Sequence, residues 1–175
     1  MAIIKHKFGN HKINPKTETL IIGTFSPDSE HNPAEFFYGR AKNYLWRLLP
    51  TAFNQEDLKG KPTHEKTTFI VANNIDFIDL VAEVNVEDEV NYEDGYLDIR
   101  VLKWRDIISE LERLKAIKRV CFSRKTFSDI PQMRIQIEKV REFCERKNIK
   151  FEYLVTPSRF YREDKQAEWT SFLMG

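Results

Sequence analysis

The stretch TLIIGTFSPDSEHNPAEFFYGRAKNYLWRLL, residues 19–49, decides the fold class of this chain. It opens with an apolar run, residues 20–22, of the length of a short buried strand. Gly23 ends the run, and residues 24–29 are rich in turn formers. A loop that carries aromatic and polar groups therefore follows the carboxyl end of a buried strand. Open α/β sheets bind their ligands at that place.

Alternating strand and helix patterns continue along the whole chain. The segment 41–49 has apolar residues at helical spacing and is predicted to be a helix that Pro50 ends. Strands are predicted at 19–22, 75–81, 118–123 and 151–155, and further helices at 101–114, 134–147 and 165–173. The acidic stretch 83–98 is predicted to be a loop with a turn near residues 91–95. This alternation predicts an α/β fold, a three-layer α/β/α sandwich around a mainly parallel sheet.

Length and composition limit the class of protein. The chain has 175 residues, which favours one domain over residues 1–175. Hydrophobic residues make up 41%, and no apolar run approaches the roughly 18 residues that span a bilayer. The first residues lack the apolar core of a signal peptide, so we expect a cytoplasmic protein without a membrane partner. The net charge of +1 gives no global signature of nucleic-acid binding, although one basic face would suffice.

Cysteine and histidine usage indicates neither a metal site nor a disulfide framework. Cys121 and Cys144 are too few for a four-cysteine cluster, and their apolar surroundings favour two buried small hydrophobes. The four histidines show no metal-ligand spacing with one another or with the cysteines. We therefore expect no metal and no organic cofactor.

Three segments of the chain resemble the uracil-DNA glycosylase superfamily. The first is Gly23 at a strand end, followed by Pro27, an aromatic pair and the run 40–46, RAKNYLW. The second is the strand 75–81 with its Asp, and the third is the loop TPSR, residues 156–159, after a strand. They follow the family order and span nearly the whole chain. The hypoxanthine-DNA glycosylase branch is most similar, with likeness also to the mismatch-specific uracil glycosylases.

The resemblance implies a four-stranded sheet and a monofunctional DNA glycosylase acting on deaminated bases such as hypoxanthine or uracil. It also implies a helix at 65–73, where strand propensity at 69–72 leaves the sequence ambiguous. Such an enzyme flips the base out of the duplex and stabilises the charge that develops as the bond to the sugar breaks. No lysine stands out as a Schiff-base nucleophile, which favours hydrolysis by water. The expected partner is DNA with a damaged base, bound by a monomer.

Candidate site residues follow from the same resemblance. Asn43 is the leading catalytic candidate, because an amide can donate to a base carbonyl and accept from a water. Asp79, near the end of a strand, is the second, although it could equally accept backbone N–H bonds of the next loop. The expected substrate-binding residues are Gly23, Thr24, Phe25, Phe37, Tyr38 and Ser158. The expected DNA-binding residues are Pro157, Arg159, Phe160 and Arg162.

One departure from the family keeps two other functions open. Many members carry Asp or Asn two residues after the glycine of the first loop, where this chain has Phe25. The first alternative is a module of the same fold that binds a damaged base or a nucleotide without cleaving it. The second, which the near-zero net charge favours, is a nucleoside or nucleotide N-glycosidase. Binding to DNA should weaken steeply as salt rises, whereas turnover of free nucleosides should not.

Overall fold

A four-stranded parallel sheet forms the centre of the fold in the computed structural model, which describes residues 1–175. Its strand order is β3-β2-β6-β7, with all neighbours parallel. The strands are β2 (Thr19–Gly23), β3 (Ile75–Asp79), β6 (Arg119–Phe122) and β7 (Lys150–Tyr153). Helices cover both faces, so the predicted α/β/α sandwich with a parallel four-stranded sheet is confirmed.

Successive side chains of β2 point to opposite faces and divide the core in two. Leu20 and Ile22 belong to the cluster that packs with α4 (Ile107–Arg113) and α5 (Pro131–Arg146). Ile21, between them, belongs to the opposite cluster. That cluster packs with α1 (Leu45–Ala52), α2 (Thr63–Ala72) and α6 (Glu163–Met174). Strand β2 is buried on both faces, as its continuous apolar run predicts.

A second, antiparallel sheet of three strands was not predicted. It has the order β1-β4-β5, from β1 (Ala2–Lys5), β4 (Val81–Val86) and β5 (Val101–Trp104). The predicted helix 101–114 is therefore wrong in its first part, because β5 pairs with β4. The helix begins only after Asp106, whose side chain caps it by accepting from the N–H of Ser109.

The predicted strand 75–81 is two strands in two sheets. Strand β3 ends at Asp79, and the N–H of Leu80 bonds to the carbonyl of Gly23 at 2.9 Å. Strand β4 then begins at Val81. The acidic stretch 83–98 is also not a simple loop, because it contains the end of β4 and the short helix α3 (Asp94–Leu97). A 3-10 turn, Asp98–Arg100, leads into β5.

Pro50 lies inside α1 and does not end it, contrary to the prediction. Proline has no N–H to donate to the carbonyl four residues earlier, which normally disrupts a helix. Here that carbonyl, on Trp46, accepts from the N–H of Leu58 at 3.0 Å. The predicted helices at 65–73, 134–147 and 165–173 are confirmed as α2, α5 and α6. No helix combines the length and the apolarity needed to cross a membrane.

Candidate functional site

The carboxyl ends of the parallel strands bring the predicted site residues to one edge of the sheet. Gly23 is the last residue of β2 and lies opposite Asp79, the last residue of β3. Ser123 follows β6, and Ser158 lies in the loop after β7. Parallel strands all end at the same edge, so residues far apart in the sequence meet there.

Position 23 requires glycine because two side chains approach its α-carbon. A Cβ atom at this position would collide with Asp79 Oδ1 and would lie 2.7 Å from Tyr38 Oη. Any residue other than glycine would therefore displace one of these groups. Asp79 and Tyr38 thus converge over the end of β2.

The Tyr38 hydroxyl donates its proton to Ser123, which leaves its oxygen as an acceptor at the end of β2. The backbone of Tyr38 has φ of 55°, in the left-handed region that few non-glycine residues adopt. Ser123 Oγ bonds to the carbonyl of Ile22, which can only accept, so Ser123 donates there at 3.2 Å. Tyr38 Oη must then donate to Ser123 Oγ, 3.1 Å away. Burial, together with the charge of Asp79, raises the pKa of Tyr38 well above its usual value.

Asp79 is paired with His6, a residue that the sequence analysis missed. Both are 6% exposed, and His6 Nε2 lies 2.6 Å from Asp79 Oδ2. No sequence signal marked His6, because it precedes Asp79 by 73 residues in a polar segment without a motif. The ring of Phe25 meets His6 edge-on with 5.7 Å between centroids. Phe25 therefore packs against this pair.

Asn43 and Ser158 are brought together, although they are 115 residues apart. Their backbones form an isolated β-bridge, and Asn43 Nδ2 donates to Ser158 Oγ at 3.4 Å. The N–H of Tyr44 also donates to the carbonyl of Pro157 at 2.9 Å. Asn43 Oδ1 accepts from the N–H of Leu45 at the start of α1. One N–H of the Asn43 amide has no protein partner and is free to donate to a ligand.

The aromatic pair divides into a core residue and a site residue. Phe37 is 3% exposed and stacks on Phe77 with 5.6 Å between centroids. Trp46 Nε1 donates to the carbonyl of Phe37 at 2.7 Å and fixes the backbone there. Tyr38 is less buried and reaches the end of β2. Of the two expected stacking residues, Tyr38 is the one that is partly exposed.

The acidic stretch reaches the same edge through Asp94. Arg124, directly after Ser123, donates to Asp94 Oδ2 at 2.7 Å and also binds Asp129. Burial raises the pKa of Asp94, while hydrogen bonds from Thr24 and Arg124 oppose that shift. Thr24 itself follows Gly23, and its carbonyl accepts from the N–H of Val81 at 3.1 Å. The acidic stretch is therefore anchored beside the first residue of the predicted substrate loop.

An open cleft of about 480 Å³ separates the acidic stretch from the loop that precedes Asn43. Ligand pockets in proteins commonly have volumes of roughly 300–1,000 Å³. The hydroxyl of Tyr92, one of its lining residues, is buried without a hydrogen-bond partner. Neither Asn43 nor Asp79 lines the cleft. Its lining residues are His31, Arg40, Asp88, Val90, Asn91, Tyr92 and Glu93.

The loop after β7 presents the predicted DNA-binding residues. Phe160 is 45% exposed, and the guanidinium of Arg162 lies 4.8 Å from its ring centroid. Arg159 has φ of 79°, and its N–H donates to the carbonyl of Lys42 at 2.7 Å. Lys165, which the sequence analysis did not single out, is buried and donates to the carbonyls of Ser158 and Phe160. Lys165 thus fixes the backbone of the loop, while the side chain of Phe160 is exposed.

Comparisons with known proteins give one informative result. Neither protein-family models nor curated protein sequences gave a match. The solution NMR structure of a candidate uracil DNA glycosylase from Methanosarcina acetivorans is similar, with a TM-score of 0.62 and 17% identity. The alignment covers 92% of this chain and 91% of that one. The protein has a uracil DNA glycosylase-like fold. No group of three or more His, Cys, Asp or Glu side chains is arranged to hold a metal ion.

Proposed function

We propose that this protein is a monofunctional DNA glycosylase that hydrolyses the N-glycosidic bond of a deaminated base, hypoxanthine or uracil. One observation carries the proposal: Asn43 is joined to the Ser158 loop, and Asp79 and Tyr38 converge over Gly23, at the same carboxyl edge of the parallel sheet. A base-binding amide, a carboxylate and an aromatic ring are the groups that this chemistry needs. The fold, shared with a candidate uracil DNA glycosylase, supports the same reaction class.

Each side chain has a distinct role in the proposed reaction. The free N–H of Asn43 donates to a carbonyl of the base, whose negative charge grows as the bond breaks. A single donor of this kind is typically worth about 10²–10³ in rate. The carboxylate of Asp79 stabilises the cation-like sugar and orients the attacking water. The ring of Tyr38 supports the flipped base, since stacking on an aromatic ring contributes about 1–3 kcal/mol per base.

The loop after β7 is proposed to contact the duplex. Phe160 enters the stack from the minor groove, and Arg159 and Arg162 pair with phosphates on either side. Exposed apolar wedges with flanking cations are a recurrent means of distorting DNA. Pro157 and Ser158 connect this contact to Asn43, so DNA distortion and base capture share one loop. We propose that the protein acts as a monomer.

The proposal is tested by measuring abasic product. Labelled oligonucleotides carrying uracil, hypoxanthine or xanthine are incubated with excess enzyme and then cleaved by alkali. We expect lesion-specific cleavage by the wild type and about 10²-fold slower cleavage by Asn43→Ala. Asn73→Ala is the matched control, because its amide only donates to the carbonyl of Phe69. Absence of product from every lesion would overturn the proposal.

Binding of a lesion without cleavage is the second candidate function. It is favoured by Phe25, which occupies a position that is polar in many glycosylases and packs against His6. In that case the wild type would form a tight complex with one lesion duplex and release no base. The same oligonucleotides, examined by gel shift at low and high salt, distinguish the two functions.

A further inference from the structure

We propose that His6 is the positioning residue of Asp79: as a neutral imidazole it holds one carboxylate oxygen and leaves the other to receive the attacking water. This inference rests on the proposed glycosylase function and assigns a role to the N-terminal segment. It starts from a buried hydrogen bond of 2.6 Å between His6 Nε2 and Asp79 Oδ2.

The hydrogen bonds of His6 define its protonation state. The backbone N–H of Phe8 donates to His6 Nδ1 at 3.0 Å, so Nδ1 carries a lone pair and no proton. The ring proton then lies on Nε2, which donates to Asp79 Oδ2. His6 thus donates to Asp79 as a neutral imidazole.

The ring of His6 is fixed from several sides. Its backbone N–H donates to the carbonyl of Ala82 at 2.9 Å, and its backbone forms a bridge with Pro27. The rings of Phe8, Phe25 and Phe37 lie 5.6–6.0 Å from the His6 ring, measured between centroids. These contacts restrict rotation of the His6 ring and so favour one orientation of the Asp79 carboxylate.

The second oxygen of Asp79 and the hydroxyl oxygen of Tyr38 both lie over the end of β2. Oδ1 receives no hydrogen bond from the protein and lies over Gly23, where Tyr38 Oη also converges. Tyr38 donates its own proton to Ser123 and therefore presents lone pairs. Both oxygens are therefore acceptors for a donor that reaches the end of β2, and in the proposed reaction that donor is the attacking water.

The proposed hydrolysis needs no reactant other than water. The water oxygen forms a bond to C1′ of the sugar while the bond from C1′ to the base nitrogen breaks. The bonding pair leaves with the base, and one water proton passes to Asp79 Oδ1 and then to solvent. Solvent protonates the departed base. His6 keeps its proton throughout, which makes it a positioning residue and not a general acid or base.

Three variants test this role in steady-state assays with the lesion DNA that the wild type cleaves. His6→Leu removes the donor, and we expect kcat to fall about 10²-fold with KM nearly unchanged, as a small misplacement of a reacting group does. His6→Gln places an amide N–H near Nε2 and should restore kcat to within about tenfold of the wild type. His11→Leu is the matched control and should retain kcat, because His11 pairs with a different carboxylate.

Nitrogen NMR of the wild type supplies a readout that does not depend on the folding of any variant. We expect His6 to show protonated Nε2 and unprotonated Nδ1 around neutral pH. A charged ring or a proton on Nδ1 would overturn the inference. Full kcat in folded His6→Leu, with an active wild type, would overturn the positioning role alone. A wild type without glycosylase product would instead overturn the proposed function.

Discussion

Two histidine–aspartate pairs join the N-terminal segment to strand β3, and they differ in what else their carboxylates bind. His6 Nε2 lies 2.6 Å from Asp79, and His11 Nε2 lies 2.7 Å from Asp76. Asp76 also accepts from the backbone N–H groups of Asn14 and Phe77, at 2.9 and 2.8 Å. Asp79 accepts from His6 alone.

The comparison separates a structural pair from a pair with a free acceptor. Strand β3 lies at the edge of the parallel sheet, where the N–H of Phe77 has no neighbouring strand on one side. Asp76 satisfies that N–H and ties the segment before β2 to the edge. Asp79 is buried like Asp76, yet its Oδ1 receives no hydrogen bond from the protein and lies at the strand end. The number of donors on the carboxylate, and not the presence of histidine, distinguishes the two.

The largest expected effect is on activity and follows from Asp79→Asn. The amide keeps an acceptor for His6 but cannot take a proton from the water or stabilise a positive sugar. We expect the rate of single-turnover cleavage to fall by about 10²–10⁴-fold, the range for loss of a general base. The midpoint of thermal unfolding should change little. If folded Asp79→Asn cleaved at the wild-type rate, the proposed catalytic role of Asp79 would be wrong.

The next effect is on stability and follows from Asp76→Ala. Three N–H donors lose their acceptor in a buried site, and each unsatisfied buried group costs about 1–3 kcal/mol. Partial access of water to His11 reduces the sum, so we expect the free energy of unfolding to fall by about 3 kcal/mol. Urea denaturation measures this change. If Asp76→Ala were instead fully stable and inactive, the assignment of the two pairs would be reversed.

A smaller effect is expected from Gly23→Ala, which probes the convergence of Asp79 and Tyr38. The added methyl group must displace Asp79 Oδ1 or Tyr38 Oη, and such overpacking typically costs about 1–3 kcal/mol. We also expect slower cleavage, because Oδ1 moves. Gly9→Ala is the control, since its Cβ would lie 3.4 Å or more from its neighbours. Equal behaviour of the two variants in urea and in cleavage would show that nothing converges at Gly23.

The sequence predicts one half of this architecture well and the other half poorly. The parallel sheet was predictable because residues 20–22 form an uninterrupted apolar run, bounded by a glycine, that is typical of a strand buried on both faces. The sequence singled out the loops of Asn43 and Ser158 because they carry family-like motifs, and the structure joins the two loops by a β-bridge.

The antiparallel sheet and His6 were not predictable in the same way. Trp104 and Val101 have helical spacing with the residues that follow, yet long-range pairing with β4 makes them a strand. His6 has a role only through a partner 73 residues away, and no local pattern records that distance. Short-range signals identified elements and loops, whereas the hydrogen bonds that distinguish Asp79 from Asp76 are a tertiary property.

The smallest expected effect is on the ionisation of Tyr38, and it tests whether Asp79 is charged. Burial is the main cause of the raised pKa of Tyr38, and the charge of Asp79 adds to it. In the unfolded chain the phenol loses its proton near its ordinary value of 10.0, while in the folded protein it keeps it. The unfolded state then binds fewer protons, so this group lowers stability as pH rises above that value. Ultraviolet difference titration should show the Tyr38 transition at lower pH in Asp79→Asn and unchanged in Asp76→Asn, with Tyr38→Phe identifying the signal. An unchanged transition in Asp79→Asn would mean that Asp79 carries no charge beside Tyr38, and it would remove the acceptor that the proposed reaction needs.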